Sequence, residues 1–362
     1  MDSSPTPANA AIAQGVTAPQ HGPRPLLLFL NILWRETESD PELRRRALGG
    51  LRRYQDAGRP TPPPPAPCFA AAGRARLLHY GSGNDRAPVV FVPSLINPPA
   101  VLDLSESRSM LRHIAAAGHD AYLVDWGSPD PTDAGLGLAG HVADRLMPLL
   151  ATLPRPPILV GYCLGGSLVL GAAALRACPA VATIAAPWRF GAYSAADRDM
   201  IAKLWKDARP ICERLGYVPM EVLQSGFWAM DPERTIRKYA AFADAEAGSD
   251  AERAFMAVED WANGGAPLTY AAGRDLFEDF YGSDVTGRTV WRIGGVTVDP
   301  SRLSCPTLSI VSTSDRIVPA AAGPALGQEH SLSLGHVGMM VGGRACEALW
   351  NPLSLWLSSH GG

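Results

Sequence analysis

Residues 158–166 read ILVGYCLGG, an apolar run typical of a buried strand that leads into a cysteine flanked by glycines. A strand that turns sharply into a helix needs glycine two residues before and two residues after the turn, because a Cβ there would clash with the adjoining strand or helix. Gly161 and Gly165 meet this requirement around Cys163. The stretch therefore predicts a nucleophile elbow, a strand, turn and helix that present a reactive side chain at the turn.

The residue at the turn is a cysteine, where such elbows usually have serine. Cys163 would lie at the N-terminus of the following helix, whose dipole and free N–H groups favour a thiolate. The backbone N–H of Leu164 would point at an oxyanion formed beside the sulfur. The alternative for Cys163 taken alone is a buried thiol packed between strand and helix.

Short apolar runs and helical patterns alternate on both sides of the elbow. This alternation predicts an α/β fold with a mostly parallel sheet flanked by helices. The predicted strands cover residues 89–92, 121–124, 158–160, 181–185, 307–311 and 331–334. The predicted helices cover residues 107–117, 140–150 and 164–176.

Changes in composition divide the chain into segments. Residues 1–24 show no apolar period and are predicted to form a disordered tail. Residues 25–67 indicate an N-terminal helical extension that ends in the proline-rich linker RPTPPPPAP. Residues 68–187 and 300–362 are predicted to form the α/β core, and the aromatic-rich residues 188–299 a helical cap insertion.

Two residues downstream of the elbow complete a candidate catalytic set. Asp315 follows the predicted strand 307–311, and His336 follows the predicted strand 331–334. In this architecture the nucleophile, the acid and the histidine occur in that order along the chain. A single Asp in a loop is more often a capping carboxylate, and a single His a packing residue. Together with Cys163, however, they predict a triad of nucleophile, base and orienting carboxylate.

Composition narrows the classes of function. The 362 residues include 32 Lys and Arg against 35 Asp and Glu, a net charge of −3, which lacks the basic field that non-specific nucleic-acid binding requires. Six cysteines without a CxxC pair argue against a zinc site or a disulfide framework. The apolar run at residues 25–34 is too short to cross a bilayer. We therefore expect no nucleic acid, no metal, no transmembrane segment and a cytoplasmic location.

Several segments resemble the polyhydroxyalkanoate synthases, a family of α/β-hydrolase-fold enzymes with cysteine where lipases have serine. The resemblance runs from about residue 88 to the C-terminus. It rests on the segments VPSLINP (92–98), VLDL (101–104), VDWG (124–127), GYCLGG (161–166), DRIVP (315–319) and GHVG (335–338). The doubled glycine after the elbow and the Asp-Trp-Gly segment distinguish this family from generic esterases. The short chain is similar to the class III catalytic subunit, which works with a second, non-catalytic subunit.

The resemblance implies a role for each candidate residue. Cys163 would hold the growing acyl chain as a thioester, His336 would be the general base, and Asp315 would be its partner. Asn97 would lie near the substrate channel. Where the family usually has Trp-x-Asn-Asp in the cap, this chain ends the motif with Gly264, which implies a change in substrate range or partner contacts.

The implied reaction is polymerisation of (R)-3-hydroxyacyl-CoA with release of CoA. CoA enters only as part of the substrate, so no cofactor is implied. The implied partners are the polyester chain, a non-catalytic synthase subunit and further copies of this chain, at the surface of a polyester granule. Two alternatives stay open: a depolymerase or thioesterase that uses the same three residues with water, and a non-catalytic granule-associated protein.

Overall fold

The computed structural model describes residues 22–59, 63–81, 83 and 86–361. Residues 1–21 of the predicted tail lie outside the described residues. The described residues form two compact units. One comprises residues 22–59 and 233–256, and the other comprises the remaining residues.

The larger unit contains the main sheet. Its strands, with the short strands of the loops, are β1 (Cys68–Ala72), β2 (Ala75–His79), β3 (Val89–Val92), β4 (Asp103–Ser105), β5 (Arg108–Ser109), β6 (Ala121–Asp125), β7 (Ile158–Tyr162), β8 (Val181–Ile184), β9 (Tyr217–Val218), β10 (Leu268–Thr269), β11 (Arg292–Ile293), β12 (Val296–Thr297), β13 (Thr307–Ser312) and β14 (Gln328–Leu332).

Within the described residues the main sheet has eight strands in the order β1-β2-β6-β3-β7-β8-β13-β14. The strands from β6 to β14 are parallel, whereas β1 and β2 form an antiparallel edge. The parallel strands therefore place their carboxyl ends along one edge of the sheet, where α/β enzymes bind their ligands.

The helices of the chain are α1 (Leu26–Glu36), α2 (Pro41–Asp56), α3 (Met110–Ala116), α4 (Leu138–Gly140), α5 (Met147–Ala151), α6 (Leu164–Leu175), α7 (Ala195–Leu215), α8 (Met220–Met230), α9 (Pro232–Ala243), α10 (Asp250–Asn263), α11 (Tyr270–Arg274), α12 (Gly338–Val341) and α13 (Asn351–Ser358). Three π-helical turns lie at His141–Leu146, Asp275–Gly282 and Cys346–Trp350. No helix of the described residues has both the length and the apolar content that crossing a bilayer would need.

The central strands are buried on both faces, which is why they are continuous apolar runs. In β3, Val90 and Val92 belong to the hydrophobic core on one face, and Val89 and Phe91 belong to the core on the other. Helix α6 packs on the first face, and α3 and α13 pack on the second. The predicted fold class, a mostly parallel sheet flanked by helices, is confirmed.

One strand was predicted at the wrong position in the chain. The strand expected at residues 331–334 is β14, at Gln328–Leu332. It is the edge strand of the sheet, and its first four residues are polar and mostly exposed. An edge strand that faces water need not be apolar, so the apolar pattern placed it too late in the chain.

The smaller unit is built around an aromatic cluster. The ring of Tyr239 on α9 contacts Phe29, Tyr54 and Phe255, at centroid distances of 4.9, 6.0 and 5.3 Å. Arg53 on α2 pairs with Glu252 at 2.7 Å. The N-terminal helices thus share a core with a segment almost 200 positions later in the chain.

Two adjacent glycines of α2 allow a test of this packing. A Cβ on Gly50 would overlap the backbone carbonyl of Tyr239, whereas a Cβ on Gly49 would meet only the Cβ of Ala243 at 4.0 Å. We expect Gly49→Ala to raise the free energy of unfolding by about 0.5–1 kcal/mol through helix propensity. Gly50→Ala should instead lower it by about 1–3 kcal/mol, because α2 and α9 must move apart. Urea unfolding followed by circular dichroism measures both, and equal stability of the two variants would contradict this packing.

Candidate active site

Cys163 lies at the turn between β7 and α6. Its backbone has φ 54° and ψ −133°, a conformation that non-glycine residues rarely adopt. Such strain costs on the order of 1–3 kcal/mol and is common at functional sites. Two backbone hydrogen bonds hold the turn: the N–H of Cys163 donates to Ile184 at 2.9 Å, and its carbonyl accepts from Gly166 at 2.8 Å.

The glycines around Cys163 are there because the elbow has no room for a Cβ. A Cβ on Gly161 would overlap the backbone of Gly166, where α6 begins. A Cβ on Gly165 would overlap the carbonyl oxygens of Val92 and Pro93, at the end of β3. The spacing read in the sequence therefore corresponds to close approaches of the backbone in the fold.

Asp315 and His336 meet at the same edge of the sheet, in the loops after β13 and β14. Oδ2 of Asp315 lies 2.7 Å from Nδ1 of His336. The other carboxylate oxygen accepts from the backbone N–H groups of Ile317 and Val318, at 2.8 and 3.0 Å. The side chains of Asp315 and His336 are 0% and 9% exposed. The carboxylate is thus fixed by its own loop and orients the ring.

The sulfur of Cys163 is close enough to His336 to act on the imidazole through its charge and a side-chain hydrogen-bond interaction. The ring of Tyr162 stacks on the imidazole at 5.1 Å, and its hydroxyl donates to the carbonyl oxygen of His336 at 3.2 Å. The structure therefore brings the sulfur, the imidazole and the carboxylate together at one site.

The charges around His336 favour its protonated form. Burial by itself lowers the pKa of the ring, but the negative charges of Asp315 and Cys163, and the hydrogen bonds to both, outweigh burial and raise the pKa to about 10. The ring is therefore protonated at neutral pH and loses this proton only as the pH rises toward 10. A protonated imidazole in contact with the sulfur stabilises a thiolate.

Alkylation of the thiol tests this charge state. We expect iodoacetamide to modify Cys163 at about pH 7 at least about tenfold faster in the wild type than in His336→Gln, which has no ring to protonate. The difference should narrow as the pH approaches 10, where His336 loses its proton. Mass spectrometry of the Cys163 peptide gives the rate, with the exposed Cys68 as the control within the same chain. Equal rates in the two proteins at pH 7 would show that the ring does not act on the sulfur.

The other two predicted site residues lie beside this centre. Leu164 is the first residue of α6, so its backbone N–H is at the helix N-terminus next to the sulfur. Asn97, with φ 67°, follows Ile96, which lines the cavity in front of Cys163, but Asn97 is not itself among the lining residues. The roles of Leu164 and Asn97 stay predictions.

The divergent cap motif contacts the loop that contains Asn97. The indole N–H of Trp261 donates to the carbonyl of Pro98 at 2.8 Å. Gly264, where the family usually has Asp, closes a turn by donating its N–H to the carbonyl of Trp261 at 3.2 Å. The departure from the family motif at Gly264 therefore lies close to the loop of Asn97. It does not lie at Cys163, Asp315 or His336.

An apolar, partly open cavity lies in front of the sulfur. Core loops supply part of its wall, and α7, α8 and the π-helical turn Asp275–Gly282 supply the rest. The lining residues are Ile96, Cys163, Leu164, Pro187, Phe190, Tyr193, Ile201, Leu204, Leu223, Gly226, Phe227, Met230, Leu276, Phe277, Tyr281, Ile317 and Val318. A wall of apolar and aromatic side chains suits an acyl chain.

Apart from Cys163 and Leu164, sequence reasoning does not single out the residues that line this cavity. Its aromatic residues, Phe190, Tyr193, Phe227, Phe277 and Tyr281, all belong to the aromatic-rich segment 188–299. Aromatic residues are common in cores, so their composition alone gives no signal for a cavity wall. Only the fold shows which of them face the sulfur.

Sequence comparison relates the chain to curated proteins named poly(3-hydroxyalkanoate) polymerase subunit PhaC. The protein from Haloferax mediterranei is 29% identical over 312 residues, 79% of this chain and 62% of that protein. The Haloarcula marismortui protein is 26% identical over 79% of this chain and 66% of its own length. The Allochromatium vinosum protein is 28% identical over 75% of this chain and 81% of its own length. The resemblance noted in the sequence is confirmed, although the chain spans less than two thirds of the length of the first two relatives.

Solved structures similar to this chain include an esterase from Thermogutta terrifontis and a monoacylglycerol lipase from Paleococcus ferrophilus. Both are 15% identical in sequence, with TM-scores of 0.48 and 0.49. The matches cover 83% and 79% of this chain and 99% of each solved chain. No protein-family model matches the chain.

Proposed function

We propose, from the relationship of this chain to the poly(3-hydroxyalkanoate) polymerases, that it is an acyltransferase that joins (R)-3-hydroxyacyl units from their CoA thioesters into a polyester. The observation that carries the proposal is the sulfur of Cys163 at the wall of an apolar cavity, within electrostatic reach of a ring that Asp315 orients. Cys163 is the proposed nucleophile, His336 the base and Asp315 its orienting partner.

The loading step exchanges one thioester for another. The thiolate of Cys163 attacks the carbonyl carbon of the acyl-CoA, the bond from that carbon to the CoA sulfur breaks, and CoA takes the proton held by His336. The backbone N–H of Leu164 is the proposed donor to the oxyanion of the intermediate. Little free energy changes in this step because the bond formed and the bond broken are of the same kind.

The elongation step transfers the chain from sulfur to oxygen. His336 removes the proton from the 3-hydroxyl of an incoming hydroxyacyl-CoA, and the oxygen attacks the thioester carbonyl on Cys163. The carbon–sulfur bond breaks and frees the thiolate, and the lengthened chain is then loaded again with release of CoA. An ester is more stable than a thioester, so each cycle is downhill.

Water competes with the hydroxyl for the acyl-enzyme, and the cavity wall favours the hydroxyl. Apart from Cys163, its side chains are apolar or aromatic, with α7 and α8 covering the sulfur. Exclusion of water is the property that distinguishes a polymerase from a hydrolase with the same three residues. We propose that the protein works in the cytoplasm at the surface of the polyester granule, with further copies of itself and a non-catalytic subunit as partners.

The test is the reaction itself. Purified protein is incubated with (R)-3-hydroxybutyryl-CoA, alone and with candidate partner subunits, while released CoA and insoluble polymer are measured. We expect CoA release to match the hydroxyacyl units found in the polymer. Release of CoA with only free hydroxyacid as product would instead assign the protein to the thioesterases. Hydrolysis of added polyester would assign it to the depolymerases.

A further inference from the structure

Two cysteines that are far apart in the sequence meet at the amino ends of two neighbouring strands. The sulfurs of Cys178 and Cys305 lie 3.9 Å apart, although 127 positions separate the two residues. Both residues are partly exposed and have free thiols. Both also pack against the hydrophobic core that covers one face of the sheet. The sequence contains no local signal for this pair, because only the fold brings the two segments together.

The two strands hold the thiols in place. Cys178 precedes β8 and Cys305 precedes β13. These strands pair in parallel, with Val181 opposite Thr307. The N–H of Val181 donates to the carbonyl of Pro306 at 3.0 Å, so the segments that carry the cysteines enter the sheet side by side. Adjacent strands lie about 4.8 Å apart, a separation that a disulfide can bridge. The sulfurs need to approach each other by only about 2 Å to reach bonding distance.

The charge state of Cys178 gives a thiol–disulfide exchange at this pair an order. Burial and the adjacent sulfur of Cys305 raise the pKa of the Cys178 thiol to about 12. Cys178 therefore keeps its proton at neutral pH, and the first attack on a disulfide in solution falls to Cys305. Residues 304 and 306, on either side of Cys305, are exposed, so a small disulfide can reach its sulfur.

We propose that Cys178 and Cys305 form a reversible disulfide, which stabilises the fold, when the protein meets a low-molecular-weight disulfide such as oxidised glutathione. The thiolate of Cys305 attacks one sulfur of oxidised glutathione, the bond between the two glutathione sulfurs breaks, and the first glutathione leaves with the proton that Cys305 has released. The sulfur of Cys178 then attacks the sulfur of Cys305, and the second glutathione leaves with the proton of Cys178. Two cysteine thiols are thereby oxidised, and one glutathione disulfide is reduced to two thiols.

This disulfide would close a loop that contains the whole aromatic-rich segment of the chain. Residues 188–299 lie between the two cysteines, so a bond between the sulfurs ties the start of this segment to its end. Cross-linking a loop of this length restricts the unfolded chain more than the folded one, in which the sulfurs already lie side by side. The pair precedes its strands, whereas Cys163 follows β7, so the effect does not depend on the proposed reaction.

The experiment treats the reduced full-length protein with increasing ratios of oxidised to reduced glutathione at neutral pH. Mass spectrometry of the intact protein and of its peptides identifies the products. We expect a species that has lost two hydrogen atoms and in which the cross-linked peptides join Cys178 to Cys305. Its melting temperature should be at least about 3 °C above that of the reduced protein. Dithiothreitol should reverse both changes.

Three single substitutions locate the effect. Cys178→Ser and Cys305→Ser should form no internal cross-link, and their melting temperatures should not rise on oxidation. Cys178→Ser should instead retain one glutathione on Cys305, because no second thiol is present to displace it. Cys68→Ser is the matched control, because Cys68 is an exposed thiol outside the pair, and this variant should oxidise as the wild type does.

Two results would overturn the proposal. The first is a wild type that accumulates glutathione on single cysteines and forms no bond between Cys178 and Cys305 at any ratio. The second is a bond that forms but leaves the melting temperature unchanged or lower, because the bond would then not stabilise the fold. The polymerisation assay is independent of both results, so the proposed function and the disulfide are tested separately.

Discussion

Cys163→Ala is expected to reduce turnover of hydroxybutyryl-CoA by at least about a thousandfold while leaving the fold intact. The alanine has no atom to form the thioester, so neither CoA release nor polymer should exceed the background. The hydrogen bonds that hold the turn are made by the backbone of residue 163 and remain available to alanine. The melting temperature should therefore stay close to that of the wild type. Undiminished turnover by this variant would show that Cys163 is not the nucleophile.

Cys163→Ser separates loading from elongation. An oxygen ester on serine would be as stable as the esters of the product, so transfer to the next hydroxyl would lose its driving force. The less acidic hydroxyl also lacks the negative charge that helps to keep His336 protonated. We expect at most a single burst of CoA release, with the acyl group kept on the protein. Mass spectrometry of the serine variant detects this adduct, and steady polymer formation would contradict the assignment.

Asp315→Asn is expected to lower turnover by about a thousandfold to ten-thousandfold, because it reverses the tautomer of His336. The loop fixes the orientation of the asparagine: the N–H groups of Ile317 and Val318 both require the oxygen. The amide NH2 must then face Nδ1 of His336, which can only accept from it. The ring proton moves to the other nitrogen, so the neutral ring can no longer take a proton from the sulfur or from a substrate hydroxyl.

The stability of the variant distinguishes this explanation from unfolding. Asp315→Asn keeps the two loop hydrogen bonds, so its melting temperature should change little, whereas Asp315→Ala loses them and should be less stable by about 1–3 kcal/mol. Asp299→Asn is the control, because Asp299 caps the turn Pro300–Arg302 through the same kind of carboxylate bond and precedes β13, whereas Asp315 follows it. Turnover of Asp315→Asn close to that of Asp299→Asn would remove Asp315 from the mechanism.

The elbow and its partners could be predicted because their signals are local. Gly161 and Gly165 are required by contacts within a few ångströms of the turn, and the strand before Cys163 is a continuous apolar run. The predicted strand at residues 89–92 matches β3 at both ends. Asp315 and His336 each follow a strand of a parallel sheet, so the topology that the sequence indicates is sufficient to bring them to one edge.

Other features depend on contacts between distant parts of the chain, so the sequence contains no local signal for them. The hairpin of β1 and β2 was not predicted, because its strands, CFAAA and ARLLH, show no clear alternation of apolar and polar residues. Nothing local indicates that Gly50 lies against Tyr239.

The bounded wall of the cavity has a consequence for the proposed function, whose product has no fixed length. Seventeen residues close this wall around the sulfur, so only the newest repeat units of a polyester can lie beside it. The older units must leave the protein while the newest end is still bonded to it. Each active molecule would then be tethered to its own product and would sediment with the polymer, even without a surface that recognises it.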